Sequence, residues 1–223
     1  MKKIHTLQAA RGLAALMVLG FHAYGFDQKF LSHPVLPDLF TFGQTGLDLF
    51  FVVSGFVMAM TTANRKGLTE SARFLLHRGY RVYPTYWIYF FTLVTVQLLL
   101  PSMINKSGRQ IDMWASFILL PSEALPLLVV AWSLTLEIWF YLVFAVLILV
   151  PKKTVPWVLA AWLVGVLLFR AFGEVPADVY QRVVVHPFSV EFIFGALAGC
   201  LWLSPVGAGV SSTQATGLSV SGL

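Results

Sequence analysis

Long apolar runs separated by short polar connections dominate this chain, and their lengths decide what each run can become. A helix rises about 1.5 Å per residue, so some 20 apolar residues cross the ~30 Å hydrocarbon core of a bilayer. Six runs are that long or nearly so: 8–26, 40–62, 82–100, 128–150, 156–172 and 187–203. The last two are the shortest. The segment 111–121, "IDMWASFILLP", is too short to cross and is expected to lie in an interface or to re-enter. The pattern predicts an all-α polytopic transmembrane bundle of about six spans. No internal repeat interrupts it.

Composition supports a membrane protein. Hydrophobic residues make up 58% of the chain and charged residues 11%, against about 25% charged in soluble domains. A single cysteine, Cys200, excludes an internal disulfide and any cysteine-pair metal site. The net charge of +5 does not signal nucleic acid, because the Lys and Arg residues sit in short loops between spans. With the N-terminus inside, Lys2, Lys3, Arg11, Arg65, Lys66, Arg73, Arg78, Arg81, Lys152 and Lys153 face the cytoplasm. Lys29, Lys106, Arg109, Arg170 and Arg182 face outward, a ten-to-five division that favours a cytoplasmic N-terminus. The start "MKKIHTLQAARGLAALMVLGF" has a signal-like shape but no small-residue cleavage site, so it is expected to stay as the first span. Residues 5–203 form the expected membrane domain. The uncharged stretch 204–223, rich in Gly and Ser, is expected to be a disordered tail.

Ionisable residues inside such spans need a reason, since a charge at mid-bilayer costs about 2.5–3.5 kcal/mol on insertion scales. In the first span Arg11 and His22 are eleven residues apart, about 20° past three full turns, and so share one helix face. Histidine titrates near neutral pH, which suits a general base. Span two, "FGQTGLDLFFVVSGFVMAM", carries Gly43, Gly46, Ser54 and Gly55, small residues that allow close helix approach, and one carboxylate, Asp48. The inner loop before span three gathers Arg65, Lys66, Arg73, His77, Arg78 and Arg81. Arg78 and Arg81 lie one turn apart, and two forked guanidiniums at a membrane surface suit a phosphate-bearing ligand, whether nucleotide or lipid headgroup. Pro84 can start or kink span three. In span four Ser133, Glu137 and Tyr141 stack at intervals of four. Glu191, at the start of span six, ranks below Glu137 because it can reach the outer interface.

These motifs, in this order, resemble the acyltransferase-3 family of bacterial integral membrane O-acyltransferases. The resemblance rests on Arg11 to His22, on "GQTGLDLFFVVSGF", on "HRGYRVYP" and on "WSLTLEIWFY", with "EFIFGALAG" as a weaker fifth. The pattern "LQAARGLAAL … GLDLFFVVSGFVM" looks most like the branch linked to exopolysaccharide production. The resemblance implies transfer of an acyl group, usually acetyl, from an acyl-CoA donor to a sugar hydroxyl at the bacterial inner membrane. It implies no permanently bound cofactor and no metal; acyl-CoA (acetyl-CoA) is a co-substrate, and the partners are the bilayer and a saccharide acceptor. Carried over to this sequence, His22 is the base or acyl-handling residue, with Arg11 its partner and Glu137 completing the site. Arg78 and Arg81 meet the donor's phosphates. Asp48, Arg73, Ser133 and Tyr141 join the substrate- and donor-binding candidates. Where the family commonly has Arg-Arg, this chain has His77-Arg78. The family has about ten spans, so the roughly six found here imply a chain lacking the family's C-terminal part.

Two other readings compete. Arg11, His22, Asp48 and Glu137 also suit a proton or substrate relay in a transporter or flippase of a polysaccharide precursor. An inactive fragment of the acyltransferase is the third reading.

Overall fold

The computed structural model describes residues 5–100, 110–174 and 176–204. The expected tail from 205 onward lies outside these residues, as do Lys2, Lys3, Lys106 and Arg109 of the charge count. Every regular element among the described residues is helical. In chain order they are α1 (His5–Phe30), a 3-10 segment (Asp38–Thr45) leading into α2 (Gly46–Thr62), α3 (Leu68–Leu99) and α4 (Met113–Ile118). After a 3-10 turn (Val129–Ala131) come α5 (Trp132–Leu147), α6 (Val155–Phe172), α7 (Val179–Val184) and α8 (Phe188–Trp202). Five stretches are long and apolar enough to cross a membrane: Thr6–Phe30, Asp38–Thr62, Leu68–Leu99, Val129–Leu147 and Val155–Phe172. The sixth expected span is α8, whose 15 residues reach only about 22 Å.

The third helix departs most from expectation. Instead of starting near residue 82, α3 starts at Leu68 and runs for 32 residues, so the basic stretch expected as a loop is its first half. Leu, Glu, Ala and Arg are strong helix formers, and this half has an apolar face on which Ser71 and Phe74 are buried. Pro84 neither starts nor ends the helix; it sits inside it and deprives the Tyr80 carbonyl of its helical donor.

The chain divides into two compact units. The first contains residues 5–63, 156–171 and 186–204 among those described, and therefore α1, α2, most of α6 and α8. Its core is a seam between α2 and α8. An ideal Cβ on Gly195 would stand 1.9 Å from the Val52 carbonyl oxygen, and one on Gly55 would stand 2.0 Å from that of Phe192. Gly199 meets Ala59 and Phe56 in the same way. Residue numbers on both helices rise together along these contacts, so α2 and α8 run parallel. Gly195 and Gly199 form the small-xxx-small pattern that lets membrane helices touch backbone to backbone. The helix α1 joins this unit through Gly43 and Gly46, which lie against the Met17 and Ala14 carbonyls. The close packing expected of the span-two glycines is thus observed.

The second unit contains residues 64–155 and 172–185, less those outside the described ranges. Here α3 and α5 run antiparallel: the Ser71 hydroxyl donates to the Ala145 carbonyl at 2.7 Å, and Phe74 meets Tyr141 edge-on. The short segment expected to lie in an interface or re-enter forms α4, capped at its start by the Asp112 carboxylate, which accepts from the Ala115 N–H at 2.9 Å. A helix leaves its last carbonyls without partners. Three side chains of α3 supply them: Tyr86 donates to the Ser116 carbonyl, Trp87 to that of Phe117 at 3.1 Å, and Tyr83 to that of Ile118 at 2.9 Å. In a membrane such satisfaction is obligatory.

The glycine seam makes a sharp prediction. Gly195→Ala forces a Cβ onto a backbone oxygen and should destabilise the protein by at least 1–3 kcal/mol, roughly the cost of overpacking. At Gly165 an added Cβ meets nothing within 4 Å. Gly165→Ala should therefore be neutral or stabilising by up to about 1 kcal/mol. Thermal unfolding of the two variants in detergent compares them.

Candidate active site

In the first unit, α1 is one unbroken helix from residue 5 to 30, so Arg11 and His22 share a face some 16 Å apart along the axis. The Arg11 guanidinium stands 5.8 Å from the Phe50 ring centroid, a cation–π contact with α2. His22 is exposed and makes an edge contact with Phe21. Nearer the C-terminal end of α1, the Asp27 carboxylate accepts from the Val35 and Leu36 backbone N–H groups at 3.0 Å, and Tyr24 donates to Asp38 at 2.6 Å. These bonds fix the exit of α1 and hold its C-terminal end against the 3-10 segment.

Asp48, in the first turn of α2, is half-buried. Because α2 and α8 run in parallel register with Val52 beside Gly195, one turn back from each brings Asp48 beside Glu191. Asp48 and Arg170 both lie within electrostatic range of Glu191, and one Glu191 carboxylate oxygen is buried with no hydrogen-bond partner. Sequence ranked Glu191 low; the register of two glycine-packed helices is what gives it a carboxylate neighbour. Close by, the His186 ring stacks on Phe188, and its Nδ1 accepts from the Phe188 N–H at 3.3 Å.

In the second unit, Glu137 is buried and Tyr141, one turn along α5, donates its phenolic O–H to the Glu137 carboxylate. The i, i+4 stack expected of these residues is therefore a hydrogen bond. Arg78 reaches across from α3 and stands over two rings, 5.4 Å from the Phe74 centroid and 5.5 Å from that of Tyr141. Arg78 is half-buried, while Arg81 is exposed but still within electrostatic range of Tyr141. Arg73 pairs with Glu70, which also takes Arg65 at 3.2 Å. His77 turns its Nδ1 to the Arg73 carbonyl at 2.9 Å. Ser133 is half-buried and donates to the Val130 carbonyl at 3.1 Å.

The structure thus gathers Arg78, Arg81, Glu137 and Tyr141 in one unit and Arg11, His22 and Asp48 in the other. Phe74, which sequence reasoning passed over, is the floor on which Arg78 rests. Its signal was the spacing, one turn before Arg78 on the same face. Among the described residues no group of three or more His, Cys, Asp or Glu is placed to hold a metal ion.

Against this geometry, comparison with known proteins is decisive. The acyltransferase-3 family, described as an acyltransferase domain, matches residues 4–219. The chain belongs to the acyltransferase-3 family. It is also similar to the exopolysaccharide production protein ExoZ of Rhizobium meliloti (strain 1021), with 31% identity over 179 residues. That alignment covers 74% of this chain and 52% of ExoZ, so the chain spans about half the length of that curated relative. No solved structure matches. Family and apolar helices together make this a membrane protein.

One pH dependence follows from His186, which lies outside the long spans. Burial, aided by the nearby Arg170 charge, holds its imidazole below the ordinary histidine value of 6.5. The folded state therefore binds fewer protons than the unfolded one, and the stabilisation is present above pH 6.5 and lost as pH falls through the lowered folded value. Protonation would also turn the Nδ1 acceptor into a donor and break its bond to Phe188. Thermal unfolding between about pH 8 and pH 5 should show falling stability, and His186→Gln should flatten that slope.

Proposed function

We propose that this chain acts as a membrane-embedded O-acyltransferase of the bacterial inner membrane. It crosses that membrane several times with its N-terminus in the cytoplasm. It transfers an acyl group, acetyl in the simplest case, from acyl-CoA to a hydroxyl of an exopolysaccharide sugar. The observation that carries this reading is the pairing of a buried Glu137–Tyr141 hydrogen bond with a stacked arginine on a helix whose inner half is basic, inside an acyltransferase-3 chain. The likeness to an exopolysaccharide production protein supports the acceptor class.

Coenzyme A is anionic and cytosolic, and it meets the basic inner half of α3 around Arg78 and Arg81. A sugar hydroxyl is a weak nucleophile near neutral pH, so a positioned base accelerates it. In this reading His22 takes the hydroxyl proton as the oxygen attacks the thioester carbonyl. The C–S bond breaks, and the departing thiolate takes a proton to leave as free coenzyme A. A cation or N–H donor near the carbonyl offsets the negative charge that gathers on its oxygen. Asp48 of the first unit and Ser133 of the second are candidate acceptor contacts, and Arg73 orders the start of α3 through Glu70. Acyl-CoA is a co-substrate that leaves after each turnover.

Transfer from radiolabelled acetyl-CoA to polysaccharide, in inside-out vesicles, tests the proposal. Wild type should transfer label, and His22→Ala should abolish transfer while retaining expression and the helical circular-dichroism signal. Activity of His22→Ala within about threefold of wild type removes His22 from the chemistry. A folded wild-type protein that moves saccharide across the vesicle without transferring label would establish transport instead.

A further inference from the structure

The two arginines of the R-x-x-R pair have unlike surroundings. Arg78 is half-buried, and its guanidinium lies over Phe74 and Tyr141 at nearly equal distances. Of these rings, Tyr141 is the one whose hydroxyl holds Glu137. Arg81, three residues on, is exposed. A guanidinium in cation–π contact with two rings that meet edge-on is held in one place and orients the rings in turn. An exposed guanidinium keeps its whole fork available for an anion.

We propose that the pair divides its labour: Arg81 is the contact for the donor's phosphate, and Arg78 is a positioning residue that fixes the Tyr141–Glu137 hydrogen bond through the rings of Tyr141 and Phe74. The inference rests on the acyl-transfer reading for the role of Arg81, and on the packing alone for that of Arg78. It makes Phe74 part of the site although that side chain carries no reactive group. It also explains how a cation fits in the buried seam between α3 and α5, where the α3 partners immediately before it are Ser71 and Phe74.

Steady-state kinetics and a double-mutant cycle test the division. Arg81→Gln should raise the donor KM about tenfold and leave kcat within about threefold. Arg78→Gln should do the reverse, lowering kcat at least about tenfold with KM within threefold, and Arg78→Lys should recover part of the loss. On a Glu137→Gln background Arg78→Gln should add less than about twofold, whereas Arg81→Gln should keep its full effect. If Arg78→Gln raises KM as Arg81→Gln does, and multiplies fully with Glu137→Gln, the division is overturned.

A second cycle requires no turnover and separates failure of this inference from failure of the acyl-transfer reading. Thermal unfolding in detergent should show coupling between Arg78→Gln and Tyr141→Leu and none between Arg81→Gln and Tyr141→Leu. Equal coupling for both arginines, or none for Arg78, overturns the positioning role whatever the protein catalyses. Coupling of Arg78 with no transfer by wild type would keep the positioning role and reject the acyl-transfer reading alone.

Discussion

A polar group among lipid chains finds no water, so a partner from the protein itself is worth several kcal/mol to it. The Glu137 carboxylate shows the constraint most plainly. It is buried in α5 and receives the Tyr141 hydroxyl, and Tyr141 in turn sits beneath a cation from α3. That arrangement goes with the antiparallel register of α3 against α5, in which Ser71, two turns before Arg78, meets Ala145, one turn beyond Tyr141. The same α3 then places Tyr83, Tyr86 and Trp87 where the open end of α4 needs donors. A single helix thus serves the Glu137–Tyr141 pair from its N-terminal half and orphaned carbonyls further along.

The other unit solves a different problem with different chemistry. Its helices α2 and α8 meet by backbone contact at glycines, which suits a phase in which apolar side chains gain little by meeting each other. Parallel register follows from that contact, and with it the meeting of Asp48 and Glu191 at one level. The α1 helix, by contrast, is largely exposed, with Ala14 and Asp27 its buried positions among those described. Its catalytic candidates, Arg11 and His22, share a face by helix geometry, and Arg11 meets Phe50 of α2 while His22 meets Phe21.

Much of this was legible in the sequence, and the reasons differ from case to case. Apolar run length located the spans, because crossing a bilayer is a constraint on length alone. Spacing by four located the Ser133, Glu137 and Tyr141 stack, because a helix repeats locally. The glycines of span two announced close packing, though not that Gly195 and Gly199 of α8 were its target. What escaped was tertiary. The basic stretch before residue 82 read as a loop because charge density masked an apolar face, visible only once Ser71 and Phe74 have α5 to pack against. Phe74 looked like one more membrane aromatic until a cation stood over it. Glu191 gained its neighbour from the pairing of two helices more than 120 residues apart in sequence.

The central claim is that the basic inner half of α3 receives an acyl-CoA donor, which separates an acyltransferase from a transporter built of similar buried charges. Equilibrium binding of coenzyme A to the folded wild-type chain in lipid nanodiscs measures this most directly, with salt as the variable. The account predicts saturable binding that weakens as salt rises, because the contact is made by guanidiniums with phosphates. A folded chain that binds no coenzyme A at any salt concentration would contradict it.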